Sequence, residues 1–429
     1  MIGLIFGVFF AILLLGVPIG IAIGFTCVII SVFVPTVTVT LEYMFRNMVM
    51  ALDSFVLLAV PLFILSGNLM AHGGISDRLY SFFAYFIGNV CGGMPMTAIV
   101  TCLFYGAISG SAPATVAAVG AMCIPILVNL GYDKKFVVGM VATAGGLGVI
   151  IPPSIPFVMY GLSSTESVGN LFIAGFVPGI LIGAIMCIYT YVYCKRHGED
   201  REKLETNFRN IRQHGFWTAF KRGSLALLCP VIILGGIYSG VFTPTEAADI
   251  SVIYAIIVSM FIYKTMTWKD LVTASIATLK SAVPCFLITA TATVFGRMLT
   301  LMNVPQQLAE TVMSVFHSKV PLLLIINVFL LFVGMVMDTL AAILILTPIL
   351  LPLVKAFGVN AIHFGVIMVV NLAIGFVTPP VGVNLYIGAS IGQLSVIDVA
   401  KNAMPYIICF LVALLAITFI PWISNCIVS

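Results

Sequence analysis

The chain has 429 residues, of which 61% are hydrophobic and only 8% charged, with a formal net charge of +4. Soluble proteins carry about 25% charged residues, so the composition excludes a water-soluble globule and indicates a polytopic membrane protein. The apolar stretches are too long, and alternate too little, for a transmembrane barrel. At about 20 residues per spanning helix, the length allows roughly ten to twelve spans.

The first apolar run, 2–34, contains no charged residue and has no basic start. It is expected to be a retained span and not a cleaved signal peptide. Runs at 54–71 and 79–105 follow. The segment 105–122, YGAISGSAPATVAAVGAM, then places Ser109, Gly110, Ser111, Pro113 and Thr115 in apolar surroundings. Gly and Pro interrupt a helix there and free carbonyls and hydroxyls to face inward. That suits the tip of a first re-entrant hairpin near 95–130, tolerated at membrane depth where it lines a cavity. Apolar runs at 112–130 and 136–165 surround 148–161, GVIIPPSIPFVMYG. Its Pro152-Pro153 pair removes two backbone donors, so a helix is broken at 152–153. The run 169–194 completes a first repeat, 1–194.

The stretch 195–223 holds Lys195, Arg196, Arg201, Lys203, Arg209, Arg212, Lys221 and Arg222. Such a loop belongs on the cytoplasmic side. Leu204, Phe208, Ile211, Trp217 and Phe220 recur at roughly helical spacing, which predicts an amphipathic helix on the inner membrane face; a plain solvated linker is the alternative.

The second repeat, 224–429, has runs at 224–242, 248–264, 271–303, 320–337, 339–357, 361–378, 380–394 and 403–425. Thr243-Pro244-Thr245-Glu246 reads as a helix start with a capping box. Arg297 lies inside an apolar run; a buried guanidinium needs an acidic residue, an acidic substrate or a partner subunit, unless it snorkels to the interface. Asp338 lies inside VGMVMDTLAAILILTP, in a second hairpin near 320–357. A lone carboxylate there is costly and marks function by default, with helix capping a compatible second role. The segment 375–388, GFVTPPVGVNLYIG, breaks a helix again at 379–380.

These features recur in order. Gly148, Pro152, Pro153 and Gly161 return 227 residues later as Gly375, Pro379, Pro380 and Gly388, and Ser111 falls on Asp338. Ala59-Val60-Pro61 returns at an offset of 223 as Ala282-Val283-Pro284, and Pro125-Ile126-Leu127 as Pro348-Ile349-Leu350. Four extra residues are therefore expected between Leu350 and Gly358. Twin breaks in a duplicated membrane protein point to a substrate or ion site between the repeats. With the linker cytoplasmic, inversion of the repeats requires an odd number of spans in each.

Unwound carbonyls can replace the hydration shell of a hard monovalent cation. One candidate sodium shell uses Ser109, Ser111, Gly148, Ile151 and Pro153; its counterpart uses Asp338, Gly375, Thr378 and Pro380. The plainer alternative makes the Pro pairs simple kinks in gating helices. Half-helix N-termini point positive dipole ends at the same region, where Ser154, Thr339, Asn384 and Arg297 are candidates to receive an acidic substrate. There is no Walker A motif, HExxH, nucleophile elbow or pair of intramembrane aspartates, so no enzyme is expected. Ten cysteines occur singly and read as small buried hydrophobes. His72, His197, His214, His317 and His363 do not cluster, so no metal site other than sodium is expected.

The combination GAISGSAPATVAAVGAM, GGLGVIIPPSIP, GVFTPTEAADISVIYA and GFVTPPVGVNLYIG resembles the large membrane subunit of tripartite ATP-independent periplasmic (TRAP) transporters along essentially the whole chain. The resemblance implies an all-α polytopic fold of two inverted repeats, with a scaffold and a moving, elevator-type transport domain that carries both hairpins. It implies two or more Na+ sites and import of an organic acid, with the sialic acid branch the nearest impression. It also implies two partners, a small four-helix membrane subunit, expected as a separate chain, and a periplasmic substrate-binding protein. The family places its sodium and substrate sites at the matching hairpin serines, Pro-Pro segments and Asp338. The runner-up is a stand-alone sodium- or proton-coupled carrier of the divalent-anion type, whose Ser-Asn-Thr hairpin motif is missing here. A passive channel is disfavoured by the broken repeats.

Overall fold

The computed structural model describes residues 2–34, 39–213, 215–316 and 318–428; His214 and His317 lie outside the described residues. All regular structure among these residues is helical. The first repeat runs through α1 (Ile2–Leu14), α2 (Ile19–Phe33), α3 (Leu41–Leu52), α4 (Ala59–His72), α5 (Ile75–Ile87), α6 (Gly93–Ser109), α7 (Ala112–Asn129), α8 (Lys134–Ala144), α9 (Ile155–Ser164) and α10 (Val168–His197). Then come α11 (Arg201–Gln213), α12 (Gly215–Tyr238), α13 (Pro244–Ile256), α14 (Trp268–Leu301), α15 (Val304–Val315), α16 (Lys319–Val336), α17 (Thr339–Ala356), α18 (Ala361–Gly375), α19 (Val383–Gly392), α20 (Val396–Phe419) and α21 (Trp422–Asn425).

Side-chain caps fix many of these starts. The Asp133 carboxylate accepts from Phe136 N at 2.9 Å, and Asn360 Oδ1 from Ile362 N at 2.8 Å. Thr243 and Glu246 form the expected capping box at α13. Some apolar runs are subdivided. The run 2–34 is two helices separated at Leu15–Pro18, and 79–105 is divided by a turn between α5 and α6. A Pro or an αL glycine stands at each of these joints, which hydropathy alone does not register.

From α5 and α15 onward the repeats correspond helix by helix. Ala112 and Asn129, the ends of α7, precede Thr339 and Ala356, the ends of α17, by 227 residues. The extra residues are therefore not between Leu350 and Gly358. They lie upstream of the second hairpin, where α14 continues past Phe295, the counterpart of His72 at offset 223, to Leu301. Pro125 thus answers to Pro352, not to Pro348, because the helix ends set the register. Within the second repeat α13 with the turn that follows it, α14, α16, α17 and α20 are long and apolar enough to cross a membrane, and α18 and α19 are shorter apolar helices.

The linker differs from its expected form in two respects. Its C-terminal part, including Trp217 and Phe220, already belongs to α12. The apolar side of α11 is also covered by protein: Phe208 is buried, Leu204 and Ile211 are half-buried, and α11 packs on α5 and α12. It is a strap across α5, and its apolar side is not laid bare to lipid.

Just before this strap, Glu199 ties the base of the first hairpin. Its Oε1 accepts from Gly92 N at 2.9 Å, beside the start of α6, and from the Tyr132 hydroxyl at 2.5 Å, beyond the end of α7. Burial, together with this carboxylate, pushes the Tyr132 phenol far above its usual range, so it keeps the proton it donates. Hydrogen bonds to charged groups contribute about 1.5–3 kcal/mol each. Glu199→Ala is therefore expected to destabilise the protein by about 3 kcal/mol, read as a lowered Tm of the purified chain. Tyr132→Phe should lower it less, and the double variant should fall short of the sum; additive losses would show that the two groups do not act on each other.

Two packed bodies emerge. In one, α2, α3 and α4 pack on α14, and α13 packs on α4 and α12. In the other, α6–α10 intermesh with α16–α20: α8 lies along α20, α7 along α19, and α16 along α18. The Tyr160 hydroxyl donates to Ala361 O at 2.6 Å and locks the two repeats together inside the second body. Both hairpins and both Pro-Pro breaks lie in it.

Candidate functional site

The first hairpin turns at Gly110 and Ser111, between α6 and α7. Ser109 Oγ lies 3.1 Å from Thr115 Oγ1, and the Thr115 hydroxyl donates to Ser111 O at 2.8 Å. The chain of the first break passes directly beneath. A Cβ on Gly148 would stand 2.4 Å from Thr115 Oγ1 and 2.9 Å from Ser111 O. Ile155 N donates to Gly110 O at 3.4 Å, and Pro153 O lies 2.9 Å from where a Gly110 Cβ would be. After a 3-10 turn at Gly145–Val149 the chain unwinds, with Ile151 N donating back to Leu147 O, and α9 resumes at Ile155. The Pro152-Pro153 and Pro379-Pro380 bonds are both cis. Ser109, Ser111, Gly148 and Pro153 are thus gathered around one point, with Ile151 in the adjoining unwound turn, and almost all are buried. Thr115 joins them. It was legible as part of the polar stretch, but its place in the cluster follows from helical spacing, four residues after Ser111 on the same face of α7.

The second hairpin is more open. Asp338 caps α17, its Oδ2 accepting from Leu340 N at 3.0 Å, and the residue is exposed. The Thr378 hydroxyl donates to Ile374 O at 2.7 Å, and Pro380 is exposed. Gly375 is wedged against Gly334 of α16: a Cβ on Gly375 would meet the Gly334 carbonyl carbon and oxygen at 2.3 Å. The two clusters differ in charge. Where the first has Ser109, Ser111 and Thr115, the second has Val336, Asp338 and Ala342, so one carboxylate stands in place of three hydroxyls.

The four candidate substrate residues are not brought together. Ser154 is buried as the cap of α9; its hydroxyl donates to Val149 O at 2.5 Å and accepts from Phe157 N. Thr339 is buried at the start of α17. Asn384 is buried with its Nδ2 donating to Ala142 O at 3.2 Å, and its Oδ1 has no hydrogen-bond partner among the described residues. Arg297 lines a sizeable cavity. This space of about 380 Å³ lies between the two bodies, bounded by α3 and α14 on one side and α9 and α17 on the other, with Ser54, Ser163, Thr289, Thr293 and Thr300 on its wall. Arg297 Nη1 donates to Asn47 Oδ1. Asn47 is buried on α3, and its own Nδ2 donates to Tyr43 O at 2.6 Å. Nothing in the sequence pairs Asn47 with an arginine 250 residues away. A buried set comprising Asn371, Asn327, Thr418, His363 and Ser424 was likewise not foreseen: His363 Nδ1 lies 3.0 Å from Ser424 Oγ, and Asn371 Nδ2 donates to Asn327 Oδ1 at 2.8 Å. Its counterparts in the first repeat include the apolar Val100, Phe136 and Ala144.

Comparison with known proteins agrees with this architecture. Residues 6–423 match the family described as tripartite ATP-independent periplasmic transporter, DctM component. An isethionate TRAP transporter permease from Oleidesulfovibrio alaskensis is 41% identical over 97% of this chain, which spans 65% of that relative's length. A C4-dicarboxylate TRAP transporter large permease from Pseudomonas aeruginosa is 40% identical over 87% of this chain and 86% of its own. A sialic acid TRAP transporter large permease from Vibrio cholerae is 34% identical over 98% and 96%. The crystal structure of the Alcanivorax borkumensis YdaH transporter superposes with a TM-score of 0.64 at 14% identity, covering 94% of this chain and 96% of that one; it shows a shared fold. With an all-helical inverted-repeat fold and a family match over nearly its whole length, the chain belongs to the DctM component family of TRAP transporters, as a multi-pass protein of the inner membrane.

Proposed function

We propose that the chain is the translocating subunit of a sodium-driven importer of an organic acid. The observation that carries this reading is the buried cluster of Ser109, Ser111, Thr115 and Gly148. Neutral hydroxyl and carbonyl oxygens, held by a hairpin tip against an unwound helix, suit a hard monovalent cation. The Asp338 and Thr378 region would hold a second Na+ with one formal charge. The cavity at Arg297 would hold the acid, between a static body containing α3 and α14 and a moving body containing α9 and α17. An elevator motion of the second body would carry both hairpins and both breaks past the static body.

The substrate would be delivered by a periplasmic binding protein, with a small membrane subunit beside the scaffold. The relatives' named substrates are isethionate, C4-dicarboxylate and sialic acid, at 41%, 40% and 34% identity. Sialic acid, the nearest impression from the motifs, is a candidate that identity does not single out.

Uptake into liposomes tests the whole reading, with sodium, the small subunit and the binding protein each omitted in turn. Every omission is expected to stop uptake. Uptake that persists without the binding protein would favour a stand-alone carrier, and uptake indifferent to sodium would end the proposal.

A further inference from the structure

The wall of the Arg297 cavity has a polarity that the ion clusters do not explain. Thr289, Thr293 and Thr300 stand beside Arg297 on one face of α14, at spacings of three and four residues. Each hydroxyl proton is already committed. Thr289 donates to Cys285 O at 2.8 Å, Thr293 to Thr289 O at 2.8 Å, and Thr300 to Gly296 O at 2.9 Å. A hydroxyl has one donor and two acceptor lone pairs. These three threonines therefore offer only acceptors to whatever enters the cavity. Among the described residues, Arg297 is the sole charged one on the wall. Asn47, on α3, takes one of its N–H groups, which leaves the rest of the donor fork for an anion. Ser54 and Ser163 complete the polar lining.

We infer that this cavity selects a singly charged organic acid that carries hydroxyl groups, and discriminates against dicarboxylates. This inference rests on the proposed function, whose acid it specifies. The anionic head pairs with Arg297, and hydroxyl protons on the rest of the molecule meet the lone pairs of Thr293 and Thr300. A second carboxylate in that place would bring acceptor against acceptor, with no second cation on the described wall to balance it. Asn47 is a positioning residue, acting through Arg297.

The test uses the full chain with its small subunit in lipid nanodiscs, titrated calorimetrically in sodium with four probes: D-gluconate, 2-hydroxyethanesulfonate, ethanesulfonate and succinate. Either hydroxylated monoanion is expected to bind at least roughly tenfold more tightly than succinate, and 2-hydroxyethanesulfonate more tightly than ethanesulfonate. Thr293→Val and Thr300→Val keep the shape and remove the acceptor. Each should weaken the hydroxylated probe roughly five- to tenfold and leave ethanesulfonate unchanged. Arg297→Gln should abolish binding of all monoanions, and Asn47→Leu should weaken them all alike, with Asn47→Gln restoring part of the loss. Succinate binding as tightly as the hydroxylated probes, or valine variants that weaken both sulfonates equally, would overturn the inference while leaving organic-acid transport standing. Binding of no anion at all, together with no sodium-dependent uptake, would overturn both.

Discussion

Asp338→Asn is expected to abolish sodium-driven uptake while leaving the fold intact. The substitution separates the residue's two roles. Asparagine is as good a helix cap as aspartate, so the bond from Leu340 N to the side-chain oxygen is retained and α17 keeps its start. What is lost is the formal charge at the position where the first repeat has Ser111. Hydrogen bonds and contacts to charged groups contribute up to about 3 kcal/mol, which corresponds to about 100-fold in cation affinity. At ordinary sodium concentrations such a loss leaves the second site empty. Asp338→Ala should add the loss of the cap, about 1 kcal/mol, and so lower the Tm where Asp338→Asn does not. The measurement is uptake against sodium concentration in proteoliposomes, alongside thermal unfolding. Unchanged sodium dependence in Asp338→Asn would reduce the residue to a cap. Ser111→Ala leaves the Ser111 carbonyl in place and should weaken uptake far less, because the chain at that position contributes its main-chain oxygen to Thr115.

The duplication, the twin breaks and the two hairpins were legible because they rest on Gly and Pro, whose backbone constraints act locally and leave marks in order along the chain. The position of the four extra residues was not. Apolar helices tolerate many registers, and Pro348 and Pro352 offered two equally good partners for Pro125; only the coincident ends of α7 and α17 decide between them. Hydropathy also merged what a single αL or Pro joint divides, as at Leu15–Pro18. The first oxygen cluster could be read nearly whole, since its members lie in two short segments that each announce a break. The cavity could not. Its wall is assembled from α3, α9, α14 and α17, and the threonines on it are unremarkable in an apolar helix, where a hydroxyl usually bonds back to the preceding turn. Asn47 is the same kind of case: its meaning is set by Arg297, a contact across 250 residues. Ser154, Thr339 and Asn384 stand near the breaks in sequence. Ser154 is used by its break as the cap of α9, and Asn384 ties its helix to Ala142 O of α8.

A large loss of stability is expected from adding a single methyl group where each hairpin crosses its break. A Cβ on Gly106 would lie 2.5 Å from Gly148 Cα, and one on Gly375 would lie 2.3 Å from the Gly334 carbonyl group. In both places the obstacle is main chain, which cannot rotate away as a side chain can. Overpacking a core costs about 1–3 kcal/mol and more where the backbone must move, so Gly106→Ala and Gly375→Ala are each expected to cost about 3 kcal/mol or more. The loss should reach transport as well, because the shift separates the hairpin tip from the unwound turn that supplies the other half of each ion cluster. Gly235 in α12 provides the comparison. A Cβ there meets nothing within 4 Å, and alanine favours the helix by up to about 1 kcal/mol, so Gly235→Ala should hold or raise the Tm. The three variants add the same atoms to the same kind of residue and differ only in what stands opposite. Thermal unfolding of the purified proteins that ranked all three alike would show that the hairpins and breaks are not in main-chain contact, and the oxygens of Ser109, Ser111 and Asp338 would then have no second wall to close a cation between.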